Sequence, residues 1–151
     1  MSGIMNDPVG KEINELRRDM RRFLYYHLDK YSLGDSQFEI LIEVYNEKGI
    51  SQEQLSKIRK VDKAATTNAV KRLMENDYIY RERDPVDKRA YKLYCTKKGI
   101  DFIPKLKEIL KLEDFIINKG ISLDEMKIFR TVLKKIGSNI DNYFKEEKLI
   151  K

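Results

Sequence analysis

The fold is decided by residues 62–99, which read DKAATTNAVKRLMENDYIYRERDPVDKRAYKLYCTKKG. A segment of helical pattern with many small residues leads directly into two β-prone runs, Tyr78 to Arg83 and Ala90 to Thr96. The residues between the two runs contain Asp84-Pro85, which favours a turn. A helix followed by a β-hairpin is typical of a winged helix-turn-helix. The expected fold class is therefore mainly α with a small β-hairpin wing (α+β).

Positive charge is concentrated in the same region. Residues 57–98 contain 13 Lys and Arg against 6 Asp and Glu, whereas the rest of the chain has 18 basic and 19 acidic residues. The formal net charge of +6 therefore resides in this segment. A localised positive surface is typical of proteins that bind nucleic-acid phosphates. In a chain with 37% charged residues such clusters also arise on ordinary solvated faces, so charge alone does not decide the function.

The helix that follows Asp62, its predicted N-cap, has two different faces. At 100° per residue the inward face consists of Thr66, Ala69, Val70 and Leu73. The outward face carries short side chains at Ala64 and Thr67, where a solvated helix would usually place Glu or Lys. Short side chains let a helix backbone approach another surface closely. We therefore predict that this face is free to contact and read a partner surface.

Helical segments flank the winged unit at both ends of the chain. We expect a single subunit over residues 1–151, with an N-terminal dimerisation helix at 8–31, a winged helix-turn-helix at 33–99 and C-terminal dimerisation helices at 100–151. Apolar residues at helical spacing in the two ends exceed what the winged unit could cover, which predicts a homodimer. Capping-box patterns predict helix starts at Ser36, Ser51 and Ser122. Pro104 predicts a kink, or a helix start near Asp101.

Several classes of protein are excluded by composition. An apolar run of about 18 residues and a cleavable leader pattern are both missing, so we expect a soluble cytoplasmic protein without a membrane partner. One Cys and one His cannot form a disulfide or a zinc site. Neither a Gly-rich phosphate loop nor a nucleophile–base pattern is present, which predicts a non-enzyme without cofactors or metal.

Four short segments resemble the MarR family of prokaryotic transcription regulators, and the resemblance extends over nearly the whole chain. The segments are Leu33-x-x-x-Gln37-Phe38-x-x-Leu41, Asp62-Lys63, Arg81-x-x-Asp84-Pro85-x-Asp87-Lys88-Arg89 and Leu93-x-x-Thr96-x-x-Gly99. The wing segment is the most specific of these. Two positions depart from the family pattern: Lys88 replaces a more usual Arg, and Asp77 replaces a Gly at the turn into the wing.

The resemblance implies an intertwined homodimer whose wings lie along the minor groove of double-stranded DNA. It implies that Arg89 enters that groove, where a narrow A/T-rich shape deepens the negative potential, and that Asp87 holds Arg89 in place. It also implies a small aromatic or anionic effector, for which His27, Tyr31 and Phe38 are the candidate pocket, although residues in such a pattern more often form part of a core or interface. We interpret Cys95 as inward and inert rather than redox-active.

The expected function is that of a sequence-specific regulator, a repressor, that binds an A/T-rich inverted repeat as a homodimer. The side-chain amide of Asn68 can form two hydrogen bonds with an adenine base. The lysines and arginines of this region are suited to bind DNA phosphates. The predicted DNA-contacting residues are Lys63, Ala64, Thr67, Asn68, Lys71, Arg72, Arg81, Arg83, Asp87, Lys88 and Arg89. Two alternatives stay open: an architectural DNA-binding protein of low specificity, and a winged module for protein interactions.

Overall fold

The computed structural model describes residues 8–34 and 36–148, which are mostly helical with one small sheet. The elements in chain order are α1 (Val9–Leu28), a 3₁₀ turn (Asp29–Tyr31), α2 (Gln37–Asn46), β1 (Ile50–Ser51), α3 (Gln52–Arg59), α4 (Lys63–Glu75), β2 (Ile79–Arg83), β3 (Tyr91–Cys95), α5 (Lys97–Asn118) and α6 (Leu123–Lys148). The chain divides into two units, one up to Glu113 and one from Asp114. The predicted class, mainly α with a β-hairpin wing, is confirmed.

The sheet has three antiparallel strands in the order β1-β3-β2. The predicted hairpin is confirmed as β2 and β3, which pair Arg81 with Leu93 across the ladder. On its other side β3 pairs with β1, where Ile50 lies opposite Leu93. The sequence analysis missed β1 because two residues are too short to show an alternating pattern.

The core of the first unit fixes α4 against the winged sheet. All four residues of the predicted inward face of α4 are buried, and Leu73 is completely inaccessible. Three of them, Ala69, Val70 and Leu73, belong to one hydrophobic cluster with side chains of the other elements of the winged unit, which include Leu41 of α2, Ile50 of β1, Leu55 of α3, Ile79 of β2 and Leu93 of β3. Because α2, α3, α4 and all three strands contribute side chains to this cluster, the orientation of α4 is set by packing.

The predicted helix starts within the first unit are confirmed in position, since Ser36, Ser51 and Asp62 are the N-cap residues of α2, α3 and α4, but the capping box predicted at Ser36 is wrong. The Ser51 hydroxyl accepts a hydrogen bond from the Gln54 N–H, and the Gln54 side chain accepts one from the Ser51 N–H, which completes a capping box. Asp62 accepts from the Ala65 N–H at 2.7 Å. The side chain of Ser36 forms no capping hydrogen bond, and the backbone of this residue is already helical. Instead the Gln37 side chain accepts from the Gly34 N–H at 3.3 Å.

Helix α5 begins earlier than the sequence suggested. It starts at Lys97 and contains Pro104 in its interior, so the predicted start near Asp101 is wrong. Thr96 supplies the missed start signal, since its hydroxyl accepts a hydrogen bond from the Gly99 N–H at 3.0 Å. A Cβ atom at position 99 would overlap the carbonyl oxygen of Tyr78. Glycine is therefore required where α5 crosses the turn into the wing.

Large apolar side chains remain exposed at both ends of the chain. In α1 these are Val9, Ile13 and Leu16. The second unit, described by itself, begins α6 with the predicted Ser122–Glu125 capping box. Its exposed apolar residues are Phe115, Ile116, Ile121, Leu123, Ile128, Phe129, Val132, Leu133, Ile140, Tyr143 and Phe144. Exposed apolar surface of this extent is typical of a protein–protein interface.

Candidate nucleic-acid interface

The outward face of α4 is fully available to a partner. All eleven residues predicted to contact DNA are exposed, in α4 and in the wing. Asp62 caps α4, and no acidic residue lies in its first turn. Lys63 begins that turn, and Lys71 and Arg72 follow two turns later. The exposed face of α4 therefore combines small side chains with positive charge, as a helix in a DNA groove requires.

A hydroxyl pair joins α3 to α4 inside the unit. The Ser56 hydroxyl donates to the Thr66 Oγ1 at 2.9 Å, and both residues are buried. On the outward side, the Gln52 amide donates to the Thr67 Oγ1 at 3.3 Å. Gln52 thus lies beside the reading face of α4. The sequence analysis missed it, because its place at the start of α3 shows no pattern that separates it from any exposed glutamine.

The strands of the wing hold two arginines over one aromatic ring. Arg81 and Arg83 lie two residues apart on β2 and therefore on the same face. Their guanidinium carbons lie 4.2 and 5.7 Å from the centroid of the Tyr91 ring. Arg83 also donates to the Lys88 carbonyl at 3.3 Å. The ring and this hydrogen bond limit the freedom of both cations while their charges remain exposed.

The tip of the wing is built by two aspartates that bind backbone N–H groups. Asp84 accepts from the N–H of Val86 at 2.8 Å and from that of Asp87 at 3.3 Å. The Val86 N–H is the main reason that the pKa of the Asp84 carboxyl lies below its usual value. Asp87 accepts from the Arg89 N–H at 3.0 Å. The carboxylate of Asp87 therefore orients the backbone of Arg89. The sequence analysis identified Asp84 only as a turn residue and did not predict its two hydrogen bonds.

The wing tip lies next to the first turn of α3. A cleft of about 340 Å³ is lined by Ser51, Gln52 and Glu53 on one side and by Asp87, Arg89, Ala90 and Tyr91 on the other. Because Gln52 also donates a hydrogen bond to Thr67, the start of α3 lies between the wing tip and the outward face of α4. The two groups of predicted DNA-contacting residues are thus neighbours in the fold.

The three predicted effector residues do not form one pocket. His27 and Tyr31 line a depression of about 270 Å³ between the end of α1 and α5. Phe38 is buried in the core and lines a separate groove beside α1. Cys95 is half-buried, and burial raises the pKa of its thiol to about 11. A thiol with this pKa is neutral at physiological pH, in agreement with the prediction of an inert cysteine.

The described residues show neither a metal cluster nor a membrane span. In residues 8–34 and 36–148, no group of three or more His, Cys, Asp or Glu side chains is arranged to hold a metal ion. None of the helices in the same ranges combines the length and apolar character that crossing a membrane requires.

Comparison with known proteins places this site in a family. The family model described as MarR family matches residues 33–91. The regulator BilQ of Clostridioides difficile (strain CD3) is 30% identical over 115 residues, which are 76% of this chain and 78% of BilQ. SarZ of Staphylococcus haemolyticus (strain JCSC1435) is 30% identical over 126 residues, which are 82% of each protein. The chain belongs to the MarR family. As a member of this family it is a DNA-binding transcription regulator and not an enzyme.

A solved MarR-family structure has the same fold as this chain. A transcriptional regulator of Listeria monocytogenes, solved in complex with a 26mer DNA, is 26% identical to this chain with a TM-score of 0.81. The match covers 95% of this chain and 96% of the other. Within the MarR pattern, Asp77 occupies the turn where glycine is usual and adopts a φ of 60°. The substitution therefore leaves the left-handed turn in place.

Proposed function

We propose that this MarR-family chain is a homodimeric repressor that binds an A/T-rich inverted repeat and is released by a small aromatic or anionic effector. Helix α4 lies in the major groove, and Arg89 at the wing tip enters the adjacent minor groove. The observation that carries the DNA-binding mode is the position of Gln52, which lines one cleft with the wing-tip residues Asp87 and Arg89 and donates a hydrogen bond to Thr67 of α4. The outward face of α4 and the cation at the wing tip therefore lie on either side of the start of α3.

Each DNA-facing residue has a separate role in this proposal. Asn68 pairs with adenine, and the Thr67 methyl group contacts thymine. Lys63, Lys71 and Arg72 bind phosphates and set the register. Arg89 prefers a narrow minor groove, which A/T-rich sequence provides. The Listeria monocytogenes relative was solved in complex with a 26mer DNA, which supports DNA as the partner.

The exposed apolar residues of the two chain ends support the homodimer. A two-fold dimer presents two equivalent α4 helices, so its operator is an inverted repeat whose half-site centres lie roughly 10 base pairs apart, or a multiple of that spacing. Leu133 of α6 is 42% exposed although it is fully apolar. These side chains are exposed in the single chain because they are buried against the second subunit in the dimer.

The dimer is tested by light scattering at micromolar concentration. We expect the wild type to have twice the mass of the chain and Leu133→Glu to be monomeric or unfolded, because the new charge would be buried in the interface. Lys127→Glu, which places the same glutamate side chain at an exposed position of α6 that is already polar, is the control. A stable wild-type monomer would contradict the proposal.

The operator is tested by selection from random duplexes, followed by a reporter assay on the selected site. We expect an A/T-rich inverted repeat, tighter binding to it than to a scrambled duplex, and lower reporter output when the protein is present. An equal affinity for all duplexes with a steep salt dependence would identify an architectural protein instead. Failure to bind any duplex at low salt would favour a protein-interaction module.

A further inference from the structure

Two hydrogen bonds hold the side chain of Thr67 on the outward face of α4. The Thr67 hydroxyl donates to the Lys63 carbonyl at 2.8 Å, and it accepts from the Gln52 amide at 3.3 Å. A carbonyl oxygen can only accept, so the single hydroxyl proton of Thr67 is used on Lys63. Gln52 therefore has to present its side-chain NH2 group to Thr67. The direction of both bonds follows from the chemistry of the three groups.

Gln52 is itself held in place by the start of α3. The Ser51–Gln54 capping box fixes the first turn of this helix. The Gln52 carbonyl accepts from the Ser56 hydroxyl at 3.1 Å, and the same hydroxyl lies 2.9 Å from the hydroxyl of Thr66 in α4. Gln52 is half-buried, whereas Thr67 is exposed. A fixed backbone and partial burial restrict the position of the Gln52 amide, so this amide is a rigid support for Thr67.

The bond from Gln52 selects one side-chain conformation of Thr67. A threonine in a helix populates two rotamers about its Cα–Cβ bond. Only a rotamer that directs the hydroxyl toward α3 allows the bond from Gln52. The hydroxyl and the methyl group are both attached to Cβ, so a fixed position of one fixes the position of the other. Gln52 thereby determines where the methyl group of Thr67 lies on the outward face of α4.

We propose that Gln52 is a positioning residue for DNA recognition, which acts through Thr67 and sets the preference for thymine at one position of each half-site. Because the hydroxyl proton of Thr67 is used on Lys63, the hydroxyl cannot donate to a base. The methyl group is then the part of Thr67 that recognises a base, by apolar contact with the 5-methyl group of thymine. This specificity part rests on the proposed function, whereas the positioning of Thr67 by Gln52 does not.

The positioning part is tested by NMR on the DNA-free protein, from the three-bond couplings of the Thr67 methyl carbon to the backbone nitrogen and carbonyl carbon. We expect the couplings of a single rotamer in the wild type and averaged couplings in Gln52→Ala. Gln52→Met, which keeps the length of the side chain but has no N–H donor, should behave like Gln52→Ala. Ile58→Ala shortens an exposed side chain of the same helix and should leave the couplings unchanged. Averaged couplings in the wild type, or unchanged couplings in the Gln52 variants, would overturn the proposal.

The specificity part is tested by replacing thymine with uracil, which removes only the 5-methyl group of the base. Binding-site selection with Thr67→Ala first identifies the thymine in question, as the position at which the preference is lost. With uracil at both symmetric positions, the wild-type affinity should fall about tenfold, since two methyl contacts are lost. The same replacement should weaken binding by Gln52→Ala less than about fivefold, because its Thr67 methyl group is in place for only part of the time. Equal losses in Gln52→Ala and the wild type, or no lost preference with Thr67→Ala, would overturn this part.

A double-mutant comparison distinguishes positioning from a direct contact between Gln52 and DNA. If Gln52 acts only through Thr67, then Gln52→Ala should leave the operator affinity of the Thr67→Ala variant unchanged. An undiminished loss of affinity in that background would mean that Gln52 binds DNA itself, and it would overturn the proposal. A wild type that binds no DNA would contradict the proposed function together with the specificity part, and NMR would still decide whether Gln52 positions Thr67.

Discussion

Helix α4 and the tip of the wing both present cations, but they are held in place by different forces. The orientation of α4 is set by buried side chains, among them Leu73 and the Ser56–Thr66 hydroxyl pair. The wing tip has no buried side chain between Asp84 and Arg89, and its shape depends on carboxylates that accept backbone N–H bonds. We infer that damage to the α4 inward face unfolds the protein, whereas damage to the wing tip affects only DNA binding.

The largest expected effect is that of Leu73→Ala. Leu73 is fully buried, so the substitution should lower the free energy of unfolding by about 2–5 kcal/mol through lost contacts and a cavity. The neighbouring Arg72→Ala should change it by less than about 0.5 kcal/mol and weaken DNA binding instead. Urea unfolding measures both variants. Equal stabilities for the two would show that packing does not orient α4.

The next prediction distinguishes base recognition from phosphate binding on the outward face of α4. Asn68→Ala should cost about 1–3 kcal/mol of operator affinity and relax the preference at one position in each half-site. Lys71→Ala should weaken all sequences alike and reduce the salt slope. Binding-site selection with each variant distinguishes the two. The reverse assignment would mean that α4 lies in the groove in another register.

The difference between the two regions also explains what the sequence could predict. The helical period alone identified both faces of α4, because the buried side chains of a helix recur every three or four residues and this spacing is visible in the sequence. The hydrogen bonds that shape the wing tip do not produce such a pattern in the sequence. Asp84 looked like an ordinary turn residue, and the bond of Asp87 to the Arg89 N–H depends on local backbone geometry.

Contacts between segments distant in sequence were the hardest to predict. Gln52 and Thr67 are 15 residues apart, and the identity of the two residues does not predict the hydrogen bond between them. Strand β1 needed β3 to be recognised, since its two residues have no pattern of their own. Similarly, Phe38 fitted an aromatic pocket with His27 and Tyr31 by composition, but the fold places it in the core.

A smaller effect concerns the turn between α4 and the wing. Asp77 has a φ of 60°, which is unfavourable for a residue with a Cβ atom. Asp77→Gly should therefore raise the free energy of unfolding by about 0.5–1 kcal/mol and leave operator affinity unchanged. Lys71→Gly, inside α4, is the control and should lower the same quantity by about 1 kcal/mol. A destabilised Asp77→Gly would show that the aspartate contributes more than its backbone conformation.

The central claim is that the polar frame of the wing tip places Arg89 for DNA binding. Arg89→Ala should lower operator affinity at least tenfold, or by about 1.4 kcal/mol, with no loss of stability. The most direct measurement is a salt titration of operator binding by Asp87→Ala and Asp87→Asn. Asn keeps an oxygen that accepts from the Arg89 N–H, so this variant should bind at least as well as the wild type.

Asp87→Ala should instead bind severalfold more weakly than the wild type at every salt concentration, although it removes a negative charge from a DNA-facing surface. The reason is that a disordered tip has to be ordered when it binds. Electrostatics alone predicts the opposite, namely tighter binding that disappears at high salt. Asp87→Ala binding the operator as tightly as the wild type, or more tightly, across the titration would contradict the account.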